Sequence, residues 1–390
     1  MDIASQGKQH FARTILAQGE EISSRLDNLR VQKFPPNAQK TLRQFTIAEV
    51  SHFIGVSQSY IKRLHLEGKG GVEPETSSTG RRSYTAQQMH DLQNFLDRSP
   101  RRKPGDQLKV ISVVNFKGGS GKTTTAAHLA QHLALTGHRT LAIDLDPQAS
   151  LTALHGIQPE LDRNLSYYDS LRYDDQRKPL ADVIRKTNFP LLDIVPANLE
   201  LQEYEYDTPL AIQQNPAAGR TFYTRIGETL AQVDDQYDVV VIDCPPQLGY
   251  LTLTALTAST SVLITVHPQM LDLMSMSQFL LMLGGILTTI EGAGINVELD
   301  WFSYLVTRFE PADIPQSQMV GFMQSMLAEQ MLKNQMLKTT AISDAGLTKQ
   351  TLYEVERSSM TRSTYDRAWE SAEAVNSEIT NLIHKSWGRN

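Results

Sequence analysis

The chain has 390 residues, a formal net charge of −6 and 40% hydrophobic residues. This is the composition of a globular protein of two or three domains, and it excludes a fibrous or disordered chain. The single cysteine, Cys244, excludes an intrachain disulfide and cysteine-built metal clusters, and it fits a reducing compartment. Neither a run of about 18 apolar residues nor an N-terminal signal pattern is evident, so we expect a cytoplasmic protein without a membrane span.

The charge is distributed unevenly along the chain. Residues 1–108 carry a net charge of +5, from 16 basic and 11 acidic side chains, whereas residues 200–300 carry −11, from 2 basic and 13 acidic side chains. Since polyanions bind to basic surfaces, any surface that binds nucleic acid should lie outside residues 200–300.

The first 40 residues predict one long amphipathic helix. Apolar side chains recur near helical spacing between residues 3 and 30, and Pro35 and Pro36 end the pattern. We expect this segment to pair two copies of the chain.

Residues 41–98 predict a small DNA-binding domain of the winged helix–turn–helix kind. Thr46 and Glu49 have the spacing of a capping box at the start of a first helix. Gly55 permits a tight turn, and Ser57 can cap a second helix that would enter the major groove of DNA.

A wing and a third helix complete this predicted domain. The segments Gly68-Lys69-Gly70-Gly71 and Gly80 bracket the wing, whose arginines would contact phosphate. A third helix is predicted at residues 86–96. A small helical domain whose basic residues form only a solvated surface is the alternative. The side chains predicted to contact DNA here are Ser57, Gln58, Ser59, Tyr60, Lys62, Arg63, Arg81 and Arg82.

Residues 99–107 are predicted to form a linker, because two prolines, a glycine and several charged residues occur together there. Beyond it, residues 108–390 predict an α/β domain. Short apolar runs alternate with helical patterns, which is typical of a mainly parallel sheet with helices on both faces. The predicted strands are 110–114, 140–143, 191–195, 239–242, 262–266 and 304–306.

A glycine-rich loop follows the first of these strands. Its sequence, Lys117-Gly118-Gly119-Ser120-Gly121-Lys122-Thr123-Thr124, departs from the standard phosphate-binding loop because Phe116 replaces the first glycine, and it fits the variant K-G-G-x-G-K-[ST]. Such a loop presents backbone amides and a helix N-terminus to the phosphates of a nucleotide. Lys122 would reach the β- and γ-phosphates, and Thr123 would bind Mg²⁺. Lys117 suits contact with a nucleotide held by a second subunit, as an arginine finger does.

Two further strands end in carboxylates that such a site needs. Asp144 and Asp146 share one face of their strand end; Asp144 is predicted to hold Mg²⁺-bound water, and Asp146 to orient the attacking water. Asp243 follows four apolar strand residues and is predicted to bind Mg²⁺ through water. The simpler interpretation of Asp144 or Asp146, a loop aspartate that caps a helix, stays open. Arg308, just after a later strand, is a candidate for contact with the adenine base.

Together these motifs resemble the ParA/MinD class of ATPases over residues 108–390. The Asp-x-Asp-Pro-Gln form at residues 144–148 is more similar to ParA partition ATPases than to MinD. Residues 343–354, together with the N-terminal DNA module, resemble the RepA group of ParA-type proteins of repABC plasmids.

The resemblance implies a bacterial protein that dimerises on ATP and then binds DNA without sequence preference, at the nucleoid. It implies slow ATP hydrolysis that a ParB-type partner and DNA stimulate. In the family the first loop lysine, here Lys117, contacts the other subunit's nucleotide, and the water-activating aspartate is here Asp146. We also expect the N-terminal module to repress its own operon.

The role of the basic residues near the C-terminus is open. The sequence between residues 333 and 367 contains six basic and four acidic residues, a mixture that is typical of a solvated surface. The resemblance implies instead that the basic residues form a surface that contacts DNA phosphates. The last helix, residues 364–385, lacks the basic side of a membrane-surface helix, so we expect it to pack on the ATPase domain. The candidate DNA contacts are Lys338, Lys349, Arg357 and Arg362.

Three alternatives compete with a partition ATPase. A MinD-like membrane-bound regulator of division would need a basic membrane helix, and an iron protein with the same loop would need the cysteine pairs that Cys244 alone cannot supply. The third is a transcription regulator whose nucleotide site senses ATP without hydrolysing it. An ATPase assay with DNA and the partner protein separates it from a partition ATPase.

Overall fold

A computed structural model describes residues 11–22, 24–25, 40–76, 78, 80–158, 165–215, 222–292, 294, 297–347 and 349–389. The chain divides into two compact units, Met1–Thr41 and Leu42–Asn390. In the first unit residues 11–22 and 24–25 are helical, and the remainder of the predicted helix 3–30 lies outside the described residues. The exposed apolar side chains of this helix are Phe11, Ile15, Leu16 and Ile22.

The second unit begins with a small domain of three helices and a three-stranded sheet. Its strands pair antiparallel in the order β1-β3-β2. Its elements are β1 (Phe45–Thr46), α1 (Ile47–Ile54), α2 (Gln58–Leu66), β2 (Glu75–Thr76), β3 (Arg82–Tyr84) and α3 (Ala86–Phe95).

Side-chain caps determine where α1 and α2 begin. Thr46 Oγ1 accepts the Glu49 amide at 3.3 Å, and the Glu49 carboxylate accepts the Thr46 amide at 2.8 Å. Gly55 ends α1 with a φ of 73°, which favours glycine, and Ser57 Oγ accepts the Tyr60 amide at 3.2 Å. The predicted capping box, turn and second cap are therefore confirmed, while DNA recognition by these helices stays a prediction.

The rest of the second unit is an α/β domain. Its strands are β4 (Lys109–Val114), β5 (Thr140–Asp144), β6 (Arg185–Lys186), β7 (Leu192–Val195), β8 (Val239–Asp243), β9 (Ser261–Val266) and β10 (Trp301–Val306). Its helices are α4 (Lys122–Leu135), α5 (Ser150–Leu154), α6 (Tyr167–Leu171), α7 (Leu180–Val183), α8 (Glu203–Gln214), α9 (Arg225–Ala231), α10 (Tyr250–Ala258), α11 (Met270–Gly292), α12 (Ile314–Leu327), α13 (Thr340–Leu347) and α14 (Arg362–Ser386).

These strands form one sheet in the order β10-β9-β4-β8-β5-β7-β6, parallel except for β6. Alternate residues of β4 enter two different cores. Ile111 and Val113 contact the core that holds α4 and α14, whereas Val110 and Val114 contact the core that holds α10 and α11. The mainly parallel sheet with helices on both faces is therefore confirmed.

The small domain packs directly on the C-terminal end of α4. His90 Nε2 lies 2.9 Å from the Ala134 carbonyl oxygen, and Gln93 Nε2 donates to the Leu135 carbonyl at 3.3 Å. The Ala134 carbonyl also accepts the Gly137 amide at 3.0 Å, so the small domain adds to the capping at the C-terminal end of this helix. Helix α4 has 14 residues, about 21 Å at 1.5 Å per residue, and it leads from the glycine-rich loop to the small domain.

Residues 99–107 lie against the α/β domain. The Arg102 amide donates to Asp238 Oδ1 at 3.2 Å, and Trp387 Nε1 donates to the Gln107 carbonyl at 2.9 Å. Hydrogen bonds thus hold the segment at its middle and at its C-terminal end.

The last helix packs on the α/β domain, as expected. Its side chains Val375, Ile379 and Ile383 are buried in the core that includes α4.

Helix α11 is long and apolar enough, by length and composition alone, to cross a membrane. Sequence inspection overlooked it because serine, glutamine and glycine interrupt its apolar runs. It is weak evidence for a membrane protein, since one side of the helix packs on the sheet, through Leu273, Met276, Phe279, Leu283 and Ile290.

Candidate nucleotide site

The glycine-rich loop joins β4 to α4 and is held from behind by the end of β10. Gly119 and Gly121 have φ values of 76° and 85°, a conformation that favours glycine. Thr307 Oγ1 donates to the Ser120 carbonyl at 2.7 Å, and an Arg308 guanidinium nitrogen donates to the Gly119 carbonyl at 2.8 Å. These two hydrogen bonds fix the shape of the loop backbone.

A cleft of about 450 Å³ opens above this loop at the N-terminus of α4. Most of the predicted nucleotide contacts line it, including Arg308. Lys117 and Ser120 do not line the cleft, and the Ser120 side chain is buried. The lining residues are Gly118, Gly119, Gly121, Lys122, Thr123, Thr124, Thr125, Asp146, Gln148, Ser150, Pro246, Arg308, Met336, Leu337, Lys338, Thr339 and Ile342.

Sequence inspection missed the wall formed by residues 336–342. This segment is placed by two single bridges, in which Met331 pairs with Tyr304 and Leu337 with Phe309. A loop held in this way has no periodic pattern, so nothing local in the sequence predicts it.

Lys122 is buried at the base of the cleft. Its Nζ donates to the Lys117 carbonyl at 3.3 Å. Burial lowers the pKa of Lys122, and the nearby Asp243 partly opposes this shift. A buried ammonium group of this kind is stabilised by a bound anion such as a nucleotide phosphate.

Lys117 is held within its own chain. Its Nζ lies 2.8 Å from Asp272 Oδ2, and Asp272 is buried in the first turn of α11. The side chain is half-exposed, so it lies at the surface beside the loop. Contact with a second subunit's nucleotide stays a prediction, and it requires this ion pair to open.

The two predicted metal carboxylates are direct neighbours, because Asp144 of β5 pairs in register with Asp243 of β8. Asp144 is fully bonded, since it accepts the amide and hydroxyl of Thr152 and the amide of Asp146. Within the described part of the chain, neither buried oxygen of Asp243 accepts a well-formed hydrogen bond, although the adjacent Thr123 hydroxyl favours the ionised carboxylate and partly lowers its pKa. Asp243 is thus a buried carboxylate short of partners, which a divalent cation would stabilise.

Burial raises the pKa of both carboxyl groups. The Asp144 carboxylate raises the pKa of Asp243 further, and the Asp146 carboxylate raises that of Asp144. Over the described ranges, no three His, Cys, Asp or Glu side chains are arranged to hold a metal on their own. Magnesium would therefore need the Thr123 hydroxyl, water and phosphate oxygens besides Asp243, which is the usual arrangement for this ion.

Asp146 is half-buried and lines the cleft. Its Oδ1 accepts the Gln148 amide at 2.9 Å, so the carboxylate is fixed in orientation. This position is compatible with the predicted water-orienting role, which stays a prediction.

The predicted DNA contacts of the small domain lie at its surface. Tyr60 and Arg82 are half-buried, and the Arg63 guanidinium lies 5.1 Å from the centre of the Tyr60 ring. The exposed members are Ser57, Gln58, Ser59, Lys62, Arg63 and Arg81.

The C-terminal basic residues do not form one group. Lys338 lines the nucleotide cleft and pairs with Glu310 at 2.8 Å, whereas Arg357 and Arg362 both face Asp366. Lys349 has a φ of 53°. The structure therefore places Lys338 at the cleft, apart from the two arginines.

The fold and loop define a P-loop ATPase of the ParA/MinD class. An AAA domain family matches residues 108–295. The chain is 64% identical to a protein described as replication protein A in Sinorhizobium fredii, over 99% of this chain and 97% of that protein. It is 35% identical to the chromosome partitioning protein ParA of Myxococcus xanthus, over 52% of this chain and 65% of that protein.

A solved structure described as a partition protein superposes with a TM-score of 0.62 at 20% identity, and covers 96% of this chain and 99% of that one. The chain belongs to the ParA-type partition ATPases, within the replication protein A group of repABC plasmids. This family binds nucleotide and Mg²⁺ and has ATPase activity.

Proposed function

We propose that this protein is an ATP-driven plasmid partition switch that also represses its own operon. The observation that carries the proposal is the cleft at the start of α4, which the glycine-rich loop and the buried Lys122 line, with the buried carboxyl group of Asp243 close to Lys122.

In this proposal the cleft takes Mg²⁺–ATP. Lys122 holds the β- and γ-phosphates, and Thr123 and Asp243 hold the ion, directly or through water. Magnesium, when bound, neutralises the charge that develops on the transferred phosphoryl group. Asp146 orients the attacking water, and Asp144 fixes the backbone around it through its bond to the Asp146 amide.

The ATP-bound state is a homodimer in which Lys117 leaves Asp272 and reaches the partner subunit's nucleotide. Its positive charge there stabilises the transition state in trans. Exposed apolar side chains beside the loop support a second copy at this edge, because a monomer rarely leaves such a patch uncovered. They are Phe116, Met270, Leu271 and Met274.

The dimer binds DNA without sequence preference, and a ParB-type partner stimulates hydrolysis. The small domain reads an operator through α2, with two copies bound to symmetric half-sites. Lys349, Arg357 and Arg362 are the remaining C-terminal candidates for phosphate contact, since Lys338 is engaged at the cleft. The protein would work in the bacterial cytoplasm, at the nucleoid.

Steady-state ATP hydrolysis, measured with and without DNA and the partner protein, tests this function. Lys122→Ala should lose nucleotide binding. Asp146→Ala should bind ATP and hydrolyse it at least tenfold more slowly. A wild-type protein that binds ATP but does not hydrolyse it under any of these conditions is a nucleotide sensor, and the proposal is then wrong.

A further inference from the structure

Helix α8 presents an apolar stripe to solvent. Tyr206 and Leu210 lie one turn apart, and Leu199 precedes them in a short 3₁₀ turn, Leu199–Gln202, that runs into the helix. These three side chains are 53–61% exposed. Large apolar side chains in one helical stripe are typical of a surface that another molecule covers.

The inner side of α8 is fixed to the domain by polar contacts. The Tyr204 ring stacks on Tyr173 with centroids 5.8 Å apart, and the Tyr173 and Thr208 hydroxyls lie 3.0 Å apart. Tyr168 donates to Asp207 at 2.6 Å. The outward stripe is therefore a stable feature of the folded helix.

The surroundings of the stripe are acidic. Between Lys186 and Arg225 the sequence has one basic residue, Arg220, and five acidic ones. Glu200 and Glu203 are exposed beside the apolar stripe. Such a surface repels DNA and is complementary to an amphipathic segment that carries lysine or arginine beside apolar side chains.

One residue of α8, Glu205, connects this surface to the loop that follows Asp243. The Glu205 carboxylate accepts the amides of Tyr250 and Leu251 at 2.8 and 2.9 Å. These amides begin α10, whose N-cap residue, Gly249, has no side chain to cap them. Glu205 thus fixes the end of the loop that runs back to Asp243.

The same loop borders the nucleotide, because Pro246 lines the cleft. A Cβ atom added at Gly249 would overlap the Glu205 carboxylate, so the two chain segments are in close contact. A change in the position of α8 would therefore move the N-terminus of α10 and the loop between residues 243 and 249.

We propose that the outer face of α8, formed by Leu199, Tyr206 and Leu210 with Glu200 and Glu203, binds a cationic amphipathic segment of the protein that stimulates hydrolysis. Glu205 is the positioning residue that transmits this contact to the Asp243 loop. The proposal rests on the proposed function, since it names where the stimulating partner binds.

Direct binding tests the location of this surface. Because Cys244 is buried, a thiol dye can be placed on Gln213→Cys at the exposed end of α8, or on Gln278→Cys of α11 as the control. The probe is the purified ParB-type protein of the same plasmid, titrated in the presence of ATP. We expect a saturable signal from the α8 dye only. Binding that leaves the α8 dye unchanged overturns the inference.

A hydrolysis titration tests which side chains are responsible. Tyr206→Ser with Leu210→Ser should raise the partner concentration for half-maximal stimulation at least tenfold, whereas the matched exposed pair Leu281→Ser with Met282→Ser on α11 should not. ATP affinity of each variant checks the fold. An unchanged half-maximal concentration, or a loss of ATP-dependent dimerisation instead, contradicts the inference. If the partner fails to stimulate the wild-type protein, the proposed function itself fails.

Glu205→Gln tests transmission separately from binding. We expect an unchanged half-maximal partner concentration and at least a fivefold lower maximal stimulation, because an amide accepts the two α10 amides less well. Gly249→Ala should give the same split, since its Cβ displaces the carboxylate. Full stimulation in both variants contradicts the positioning role of Glu205.

Discussion

The Glu373→Gln substitution tests the contact between the small domain and α4. Glu373 on α14 is buried, and its carboxylate lies 2.5 Å from His52 of α1 and 3.1 Å from His132 of α4. It also accepts the Tyr353 hydroxyl. Burial alone would raise the pKa of Glu373, but these three partners outweigh it and hold the pKa well below its usual range.

A glutamine keeps the shape of this side chain and removes its charge. Two charge-assisted hydrogen bonds become neutral or are lost, and each contributes about 1.5–3 kcal/mol. Because the glutamine oxygen still accepts one of these bonds in neutral form, part of this contribution is kept, and we expect the free energy of unfolding to fall by about 2–4 kcal/mol. At about 2 °C per kcal/mol for a unit of this size, the melting temperature should fall by about 4–8 °C.

The stability difference should also depend on pH. The hydrogen bond to Glu373 raises the pKa of His52, so the stability that His52 contributes is complete below about pH 6.5 and is lost as the pH rises through its folded-state pKa. Glu373, with a lowered pKa, stays ionised throughout this range. The difference between the wild-type protein and Glu373→Gln should therefore be larger at pH 6 than at pH 8.

Urea unfolding at pH 6 and pH 8 measures both quantities. Glu370→Gln, an exposed glutamate on the same helix, is the matched control and should change stability by less than about 0.5 kcal/mol. Equal stability of Glu373→Gln and the wild-type protein at pH 6, or a difference that does not vary with pH, would refute this reasoning.

Three further predictions concern the nucleotide site and the proposed DNA-reading helix α2. Asp243→Asn should raise the free energy of unfolding of the nucleotide-free protein by about 1–3 kcal/mol, because it removes a buried carboxyl group whose ionised form is disfavoured by burial and by the Asp144 carboxylate. The variant should also lose stabilisation by Mg²⁺–ATP, and thermal shift with and without ligand measures both effects. Asp272→Asn should release Lys117 from its ion pair, so ATP-dependent dimerisation, measured by sedimentation, should occur at an at least threefold lower protein concentration. Unchanged dimerisation would show that the ion pair does not restrain Lys117. Exchange of Lys62 and Arg63 for alanine in the full chain should abolish a promoter footprint while sparing ATP-dependent binding to random DNA; a retained footprint excludes α2 as the reading helix.

The sequence predicted most of the nucleotide site because its information is local. A strand that is buried on both faces is a continuous apolar run, and the glycines and lysines of the loop lie within eight residues of each other. The caps at Thr46 and Ser57 were predicted for the same reason, since each depends on residues no more than three positions away.

The remaining contacts depend on residues far apart in the chain. Asp272 meets Lys117 across 155 positions, and Glu373 meets His52 across 321. No spacing rule relates such pairs, because the fold alone brings them together. The exposed apolar side chains of α11 and the apolar stripe of α8 could not be predicted from the sequence either, since apolar residues usually indicate a core.

DNA binding as a function of nucleotide tests the central claim most directly. Fluorescence anisotropy of a random-sequence duplex should be measured with Mg²⁺–ATP, with Mg²⁺–ADP and without nucleotide, for the wild-type protein and for Lys117→Ala. We predict that the wild-type protein binds this duplex only with ATP, and that Lys117→Ala binds ATP but not the duplex. Equal affinity for the duplex in all three nucleotide states, or undiminished binding by Lys117→Ala, would contradict the account.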